Sequence, residues 1–511
     1  MDWNEGYVTD IDYTYDHYRE LEPLRAQFVM AYAGVLTKKL DTACELGFGQ
    51  GISLNINAAG TEIAWFGTDF NPSQVSNAKH LSSHYDADPF ICDDDFASFA
   101  KRDNLPKFDF ISLHGIWSWI SDQNRNTIAE FIRTKLNVGG IVYLSYNTLP
   151  GWNQMVPIRN LMMDVMDATT SPKDLSNTRV VDTLEEMDKF SKLNPRYLLT
   201  NPQGKNKLEQ LSDQNKNYVA HEYFNRDWKA MNFSDVSKTV RNSKIQYVAS
   251  ANLLENLSVL NFTPDQDEYL RSVKNIGLKE TLRDYILNQT FRKDYWVKGG
   301  VDLSATERLE ALDEFHVIAA RSLKTFDYKL KCNIGEANLT EEIYKPIIDL
   351  MSDYKPLSIK EVRSKLSNDG LLNTQKVLEA IYILVGNNTL LLAYDFEHGK
   401  RNAKHTKNLN NALIKKSVDA TYVNYLVSPL TGSGIPVGRI EQIFLHLHMQ
   451  KVENENELAL GVQKILEQRG QTLTLEGAAI PHGAELKAAL LVQAKKFKSE
   501  LIPLYKSLML T

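Results

Sequence analysis

The segment CELGFGQG, residues 44–51, combines the carboxylate of Glu45 with three glycines at alternating positions, Gly47, Gly49 and Gly51. A second carboxylate, Asp69, closes the apolar run that follows. Glycines at this spacing let the backbone pass close to a bound nucleoside. A carboxylate only accepts hydrogen bonds, so Asp69 suits the two hydroxyl donors of a ribose. The pattern therefore predicts a site for a nucleoside-containing cofactor.

Two common nucleotide sites are excluded by the same residues. The dinucleotide fingerprint G-x-G-x-x-G/A, aligned on Gly47 and Gly49, has Ile52 at its third position. A bulky side chain there prevents close packing of the helix on the strand. The P-loop pattern G-x-x-x-x-G-K-[ST] is absent from the sequence. The glycine turn is therefore not expected to cradle a pyrophosphate.

Predicted strands and helices alternate through the first 150 residues. The strands are TACELGF, EIAWFGTDF, PFICDDDF, KFDFISLHGIWSWI and GIVYLSYNT. The helices are ISLNINAAG, NPSQVSNAKHLSSHY with Asn71 as its N-cap, and TIAEFIRTKLNVGG, closed by a Gly-Gly. This order predicts an α/β fold with a doubly wound parallel sheet. Ligands of such sheets bind outside the carboxyl ends of the strands, where the glycine turn, Asp69, Asp93–Asp95 and His114 fall.

The segments CELGFGQG, GTDFNP and YLSYNTLPGW together resemble class I S-adenosylmethionine-dependent methyltransferases, whose sheet is Rossmann-like. The resemblance implies S-adenosyl-L-methionine as the cofactor and S-adenosyl-L-homocysteine as its product. It implies that Glu45 and the glycines border the methionine part and that Asp69 holds the ribose. The cofactor-binding set implied in this way is Glu45, Gly47, Phe48, Gly49, Gly51, Asp69, Phe70, Asn71, Asp94, Asp95, Phe96, His114, Gly115 and Ile116.

Within this set the resemblance implies that the adenine lies beside Phe70 or Asn71 and is flanked by Phe96. Asp94 or a neighbour would meet the adenine amino group, and residues 114–116 would lie beneath the cofactor. The amino-methyltransferase signature [DNS]-P-P-[YF] is absent at the end of the fourth strand, where LHGIWSW stands. A target nitrogen is therefore expected to be held in another way.

The segments YNTLPGW, HEYFN and NQTFRKDYW resemble the methyltransferase-regulatory-domain family over roughly residues 1–300. That family joins a class I methyltransferase to a helical accessory domain and includes bacterial protein lysine methyltransferases that modify outer-membrane proteins. The resemblance implies a protein acceptor methylated on lysine. HEYFN begins like the zinc motif H-E-x-x-H but has Asn225 at its last position, so we expect no metal site.

An acceptor lysine must lose its charge before it attacks, and an apolar aromatic pocket favours the neutral amine. Aromatic side chains gather before the first strand, where the chain could fold over the cofactor as a lid, and after the strand ends: Tyr7, Tyr13, Tyr15, Tyr18, Trp117, Trp119 and Tyr146. Asp12 and Asp16 could attract a cationic side chain. No general base is assigned, and the candidates for catalytic contact are Tyr18, His114, Trp117 and Tyr146.

The sequence is divided into four predicted domains. Residues 1–150 form the cofactor-binding core with its lid, and residues 151–300 a helical regulatory or dimerisation domain. Residues 301–410 hold a linker and a winged-helix-like module, followed by a mainly helical domain over residues 411–511. The predicted recognition helix carries only Lys376 beside Glu379, so a protein–protein or structural role is favoured over DNA binding.

Composition sets the remaining expectations. The net charge of −6 gives no support for nucleic-acid binding, and only three cysteines point to a reducing, cytoplasmic compartment. No apolar run is long enough for a membrane span. The expected partner is a protein substrate, with a homodimer as one option. Two alternatives stay open: a methyltransferase for a small molecule or saccharide, and a non-catalytic S-adenosylmethionine-binding regulator.

Overall fold

A computed structural model of the chain describes residues 7–11, 15–368, 372–475 and 478–511. Its largest sheet has seven strands: β1 (Thr42–Leu46), β2 (Ala64–Thr68), β3 (Phe90–Cys92), β4 (Phe108–Leu113), β5 (Leu136–Asn147), β6 (Ile245–Ser250) and β7 (Phe291–Lys298). Their order across the sheet is β3-β2-β1-β4-β5-β7-β6. The first five strands are parallel, and β7 is antiparallel to both of its neighbours. The predicted α/β sheet is confirmed for β1 to β5.

Two layers of helices cover this sheet. The first helices along the chain are α1 (Pro23–Tyr32), α2 (Ile52–Gly60), α3 (Pro72–Ser82), α4 (Phe96–Ala100) and α5 (Asp122–Lys135). Successive strand residues point to opposite faces. Phe110 and Tyr143 share one core with α1, α2 and α3, whereas Ile111 and Val142 share another with α4 and α5. The strands are apolar on both faces, as buried parallel strands are.

The helix predicted to close at Gly139-Gly140 ends earlier, at Lys135. α5 stops at Lys135, and Leu136 begins β5, where it pairs with Phe108 of β4. The two glycines, Gly139 and Gly140, therefore lie inside the strand. The prediction is wrong at this end because pairing with β4 overrides the local helical pattern.

The range from residue 151 to 300 contains nine helices among the described residues and two strands of the main sheet. The helices are α6 (Val156–Thr169), α7 (Ser176–Lys192), α8 (Arg196–Thr200), α9 (Pro202–Leu211), α10 (Lys216–Tyr223), α11 (Phe233–Arg241), α12 (Ser258–Asn261), α13 (Pro264–Ser272) and α14 (Ile276–Leu287). The range is mainly helical, but β6 and β7 also join the main sheet, and the division into domains stays a prediction. β7 pairs with β5, with Trp296 opposite Val142, and β6 pairs with β7.

The carboxyl-terminal part is built from short strands and helices. The strands are β8 (His316–Ala319), β9 (Lys329–Cys332), β10 (Gly335–Asn338), β11 (Leu357–Ser358), β12 (Leu390–Ala393), β13 (Tyr425–Ser428), β14 (Ser433–Pro436), β15 (Thr474–Leu475) and β16 (Ala478–Ala479). The helices are α15 (Ala305–Asp313), α16 (Glu341–Met351), α17 (Ile359–Asn368), α18 (Thr374–Gly386), α19 (Phe396–Ser417), α20 (Arg439–Met449), α21 (Glu455–Gln468), α22 (Ala484–Lys496) and α23 (Ile502–Ser507).

The sheet β11-β8-β12 of this part lies beside α17 and α18, and the winged-helix-like module stays a prediction. The hairpin β13–β14 and α19 pack against α2, the helix that the glycine turn begins. Within the described ranges, no helix has both the length and the apolar character that a bilayer crossing requires.

A buried ionic cluster fixes β7 to α14. The guanidinium of Arg292 contacts Asp284 at 2.7 Å, Glu280 at 2.8 Å and Asp294 at 3.0 Å. The same guanidinium lies 4.4 Å from the ring centroid of Phe233. Its side chain is 2% exposed, and Arg283 adds a second buried cation 3.3 Å from Glu280, so the charges compensate one another out of water. All of these residues except Phe233 come from α14 or from the segment NQTFRKDYW.

We predict that Arg292→Met strongly destabilises the protein. Removal of one partner from a buried ionic cluster leaves uncompensated charge and costs about 3–5 kcal/mol. The free energy of unfolding from urea titration checks this value. Arg133→Met, which removes an exposed pair with Glu130 on α5, is the control and should cost less than about 1 kcal/mol. Equal losses in the two variants would contradict the argument.

Candidate functional site

The glycine turn between β1 and α2 has a backbone that other residues adopt poorly. Gly47, Gly49 and Gly51 have φ values of 71°, 57° and 72°. A Cβ atom on Gly51 would lie 2.4 Å from Cβ of Ala78 and 3.1 Å from its backbone Cα, so this position also excludes a side chain on steric grounds. Gly51 is the N-cap of α2. The turn exposes backbone at the carboxyl edge of the sheet, as predicted from the spacing.

Asp69 follows the last residue of β2 and braces this turn. Its Oδ2 accepts a hydrogen bond from the backbone N–H of Gly49 at 2.8 Å, and its Oδ1 accepts one from Asn71 at 3.0 Å. Burial raises the pKa of the Asp69 carboxyl to about 7, and the two backbone hydrogen bonds act in the opposite direction. The carboxylate thus joins the ends of β1 and β2.

Glu45, the second carboxylate, lies near the end of β1 and is 3% exposed. Its Oε2 has no hydrogen-bond partner within the described residues. Burial raises the pKa of Glu45 to about 8, and repulsion from Asp69 raises it further. A buried acceptor that lacks a partner inside the chain is suited to a cationic or donor group of a ligand.

A cleft of about 1010 Å³ opens at the carboxyl ends of β1, β2 and β4. A smaller recess of about 350 Å³ lies beside it and shares Gly47, Gly49 and His114. The cleft is lined by Asp69, Phe70, Asp94, Asp95, Phe96, Gly115 and Ile116 of the predicted set, and the recess by Tyr18, Glu45 and Phe48. The two spaces together form an elongated site divided by the glycine turn.

His114 stands where the cleft and the recess meet. Its ring stacks on Tyr18 with a centroid distance of 3.7 Å, and its Nδ1 lies 2.8 Å from the hydroxyl of Tyr143. Burial lowers the pKa of His114 to about 4, so the imidazole is neutral at pH 7. The next residue, Gly115, donates its N–H to Ser145 of β5 at 2.9 Å. The end of β4 is therefore fixed to β5 at two adjacent residues.

Comparison with known proteins gives a relative of full length. The protein sll1526 of Synechocystis sp. is 34% identical over 513 residues, which cover 99% of each chain. The family model described as "Predicted methyltransferase regulatory domain" matches residues 215–298. The solved structure of PKMT2 from Rickettsia typhi in complex with AdoHcy aligns with a TM-score of 0.66 at 17% identity, over 98% of this chain and 99% of that one.

The chain belongs to the family of class I S-adenosylmethionine-dependent methyltransferases with a methyltransferase regulatory domain. The strand order 3-2-1-4-5-7-6 is typical of this class. Its family cofactor is S-adenosylmethionine. The resemblance seen in the glycine turn, GTDFNP and YNTLPGW is thus confirmed.

The acidic run after β3 is already engaged inside this methyltransferase. Asp94 forms an ion pair with Arg102, whose hydrogen bond lowers the pKa of the carboxyl. Asp95 is the N-cap of α4 and accepts the backbone N–H of Ser98 at 2.8 Å. Both residues line the cleft together with Phe96. Their side chains are held in place before any ligand is bound.

The predicted lid is described in part, because Asp12 and Tyr13 lie outside the described residues. Tyr7 contacts Phe70 edge to face at 5.7 Å and lines the cleft. Tyr15 stacks on Tyr422 at 3.9 Å, away from the cleft. Tyr18, like Asp16, lines the recess. The segment before α1 therefore covers the site at Tyr7 and Tyr18.

Four residues of the predicted set do not line either space. Trp117 is fully buried in the core shared with α5, and Tyr146 is fully buried with its hydroxyl donating to Asp294 at 3.0 Å. Neither side chain reaches the cleft or the recess, and a catalytic role for either one stays a prediction. Gly51 and Asn71 support the site from beneath as N-caps of α2 and α3. Trp119, two residues after Trp117, does line the cleft.

Sequence reasoning missed several residues that line the cleft, among them Gln74, Asn124, Asn225 and Asp227. Asn225 had been noted only as the residue that breaks the zinc motif. Its Oδ1 accepts the backbone N–H of Val8 at 2.9 Å, so it also holds the amino-terminal segment. The sequence carries no local signal for this contact, because Asn225 and Val8 are 217 residues apart.

We predict that Glu45→Gln removes part of the pH dependence of stability. The pKa of Glu45 is about 8 in the folded protein and about 4.3 in an unfolded chain, so the folded state binds more protons between these values. Wild-type stability therefore falls as the pH rises through this window. Urea midpoints at pH 5.5 and 8.5 should show the variant gaining on the order of 2 kcal/mol relative to wild type.

Exposed Glu342 on α16 provides the control for this comparison. Glu342→Gln should track the wild type at both pH values. A Glu45→Gln variant whose stability relative to wild type is the same at both pH values would show that Glu45 is ionised throughout.

Proposed function

We propose that this methyltransferase methylates lysine side chains of a protein acceptor. The observation that carries the proposal is the aromatic, uncharged surface at the junction of cleft and recess, formed by His114 stacked on Tyr18. An acceptor amine has an ordinary pKa of about 10.4 and must be neutral to attack. Removal from water lowers that pKa, and a neutral His114 contributes no charge of its own to this surface.

The residues of the site fit S-adenosylmethionine. Glu45 would hold its cationic amino group, because this buried carboxylate has an oxygen without a partner in the described chain. Asp69 would accept the ribose hydroxyls, and the glycine turn would pass between the two groups. When bound, the cofactor supplies a methyl group activated by the positive charge on its sulfur.

The chain's own part in the reaction is to position and desolvate the acceptor. Correct alignment of reacting groups can contribute roughly 7–11 kcal/mol. Tyr7, Tyr18 and Trp119 supply aromatic surface around the site. Such faces also attract methylated ammonium groups by cation–π interaction, which suits a product that is cationic.

The relatives support the same proposal. PKMT2 from Rickettsia typhi was solved in complex with AdoHcy and has this fold over nearly its whole length. The family model described as a predicted methyltransferase regulatory domain matches residues 215–298. The choice of lysine as acceptor follows the resemblance of YNTLPGW, HEYFN and NQTFRKDYW to that family. We include a cytoplasmic location in the proposal, since the three cysteines are free thiols.

We expect purified protein with tritiated S-adenosylmethionine to label polypeptides in cell-envelope or cytosolic fractions. Hydrolysis of the labelled bands should release methyl-lysine. Label confined to small molecules would favour the alternative of a small-molecule or saccharide acceptor. Cofactor binding without any transfer would favour a regulator.

We predict that Asp69→Ala weakens S-adenosylmethionine binding by at least roughly tenfold. Loss of a charged acceptor for two hydroxyl donors removes hydrogen bonds worth about 1.5–3 kcal/mol each, and the glycine turn loses its brace. Calorimetric titration of the purified variant measures the dissociation constant. Asp103→Ala, at an exposed residue before β4, is the control and should bind as the wild type does. Unchanged affinity in Asp69→Ala would refute the ribose assignment.

A further inference from the structure

The segment that leads into α1 carries Tyr18 into the cofactor site. The ring of Tyr18 stacks on His114 at 3.7 Å and lines the recess that also contains Glu45. The backbone N–H of Tyr18 donates to Oγ of Ser53, on α2, at 3.0 Å. Tyr18 is also the N-cap of a single 3₁₀ turn, Arg19–Leu21, which precedes α1. The position of this turn therefore determines whether the Tyr18 ring can cover the recess.

Strand β7 holds this turn at Glu20 through two side chains. Nζ of Lys293 lies 2.6 Å from Oε1 of Glu20, and the hydroxyl of Tyr295 donates to the carbonyl oxygen of Glu20 at 2.7 Å. Lys293 and Tyr295 are two residues apart in the strand, so both side chains leave the same face of β7. Both residues belong to the regulatory segment, residues 215–298. The regulatory segment therefore contacts the turn that follows Tyr18.

The same face of β7 reaches the end of β4 as well. Lys293 pairs with Ser145 of β5, which binds the end of β4 through its Oγ. The ring of Phe291, two residues before Lys293, lies 6.2 Å from that of His114, edge to face. This face of β7 therefore contacts both the ring of His114 and the turn that follows Tyr18.

The ion pair between Lys293 and Glu20 is partly removed from water, because the two side chains are 31% and 16% exposed. Burial opposes the charge of Glu20, but Lys293 and Arg25 outweigh it and lower the pKa of the carboxyl to about 2. Among the described residues, Lys293 is the only cation that forms an ion pair with Glu20. Without Lys293, the Glu20 carboxylate would lose this partner, and the turn would depend on the Tyr295 hydroxyl for its hydrogen bond to β7.

We infer that Lys293 is a positioning residue of the regulatory segment, whose ion pair with Glu20 holds Tyr18 against His114 and thereby closes the cofactor recess. In this position Tyr18 shields the recess from water. Lys293 acts through the turn, since it lines neither the recess nor the cleft. The inference goes beyond the proposed function, because it concerns cofactor binding and holds for any methyl acceptor. A failure of lysine methylation would therefore leave it standing.

Calorimetric titration of the full chain with S-adenosyl-L-homocysteine tests the inference without any acceptor. We expect Lys293→Met to raise the Kd roughly tenfold, because a charge-assisted hydrogen bond that holds the recess closed is lost. Lys293→Arg keeps the charge and should recover most of the affinity. Lys298→Met is the matched control on the same strand, because Nζ of Lys298 donates to the carbonyl oxygens of Arg133 and Leu136, at the end of the sheet away from the site. Its Kd should stay within twofold of wild type. An unchanged Kd in Lys293→Met would overturn the inference.

A double-mutant cycle with Tyr18→Ala separates positioning from general destabilisation. Tyr18→Ala should raise the Kd by itself, since the recess loses its cover. If Lys293 acts through Tyr18, the double variant should bind within twofold of Tyr18→Ala alone. Additive losses in the double variant would show that Lys293 acts by another route and would overturn the inference.

Nuclear magnetic resonance of protein with isotopically labelled histidine checks the same contact without the cofactor. The stacked Tyr18 ring should shift the Cε1–H signal of His114, which His114→Gln identifies by its loss. We expect Tyr18→Ala and Lys293→Met to move this signal in the same direction and Lys298→Met to leave it in place. A signal that moves in Tyr18→Ala but not in Lys293→Met would show that the ring keeps its position without the ion pair and would overturn the inference.

Discussion

Two buried carboxylates at the ends of neighbouring parallel strands determine how this site is built. Glu45 and Asp69 face the same turn, and among the described residues no cation is paired with either one. Burial raises the pKa of both carboxyls, and the charge of Asp69 raises the pKa of Glu45 further. The backbone N–H groups of Gly49 and Asn71 donate hydrogen bonds to Asp69 and so satisfy its carboxylate. The turn that directs the N–H of Gly49 to Asp69 depends on glycines with φ values in the left-handed region. The glycines, the strand ends and the carboxylates therefore form one constraint at the carboxyl edge of the sheet.

The amino-terminal segment joins this constraint to the far end of the chain. Nε2 of His17 lies 3.1 Å from Oγ of Ser433, and the backbone N–H of Gly434 donates to the same nitrogen. One residue later, Tyr18 stacks on His114 and its N–H donates to Ser53 of α2. The hairpin β13–β14 therefore holds the segment whose aromatic side chains cover the site. This contact gives the carboxyl-terminal residues a physical connection to the cofactor recess without placing any of them in it.

The sequence was sufficient to predict the glycine turn with Asp69 and Asn71, because the signals for this part of the site are local. The glycine spacing, Asp69 at a strand end and Asn71 as an N-cap all lie within thirty residues, and the structure brings them together as expected. Tyr146 shows where such reasoning stops. Along β5, Tyr143 and Ser145 point to the side of His114, so Tyr146 must point to the other face. Because β5 is buried on both faces, its composition hides this alternation.

The part of the site formed by α10 and the residues after it depends on contacts between residues that are far apart in sequence. Asn225 binds Val8 across 217 residues, and Glu222 binds Asn147 across 75. No periodicity reveals such pairs. The same holds for β6 and β7, because β7 takes its place by pairing with β5 and β6 by pairing with β7.

These distant contacts also determine how the regulatory segment, residues 215–298, relates to the cofactor-binding core. Residues 215–298 supply two strands of the catalytic sheet, the Arg292 cluster that fixes β7 to α14, and Asn225, which lines the cleft. A separate accessory domain could be displaced without altering the core, but this segment cannot, because β7 lies between β5 and β6 in the sheet. Any influence of this segment on methyl transfer therefore acts through the sheet that carries the site, because two of its strands belong to that sheet.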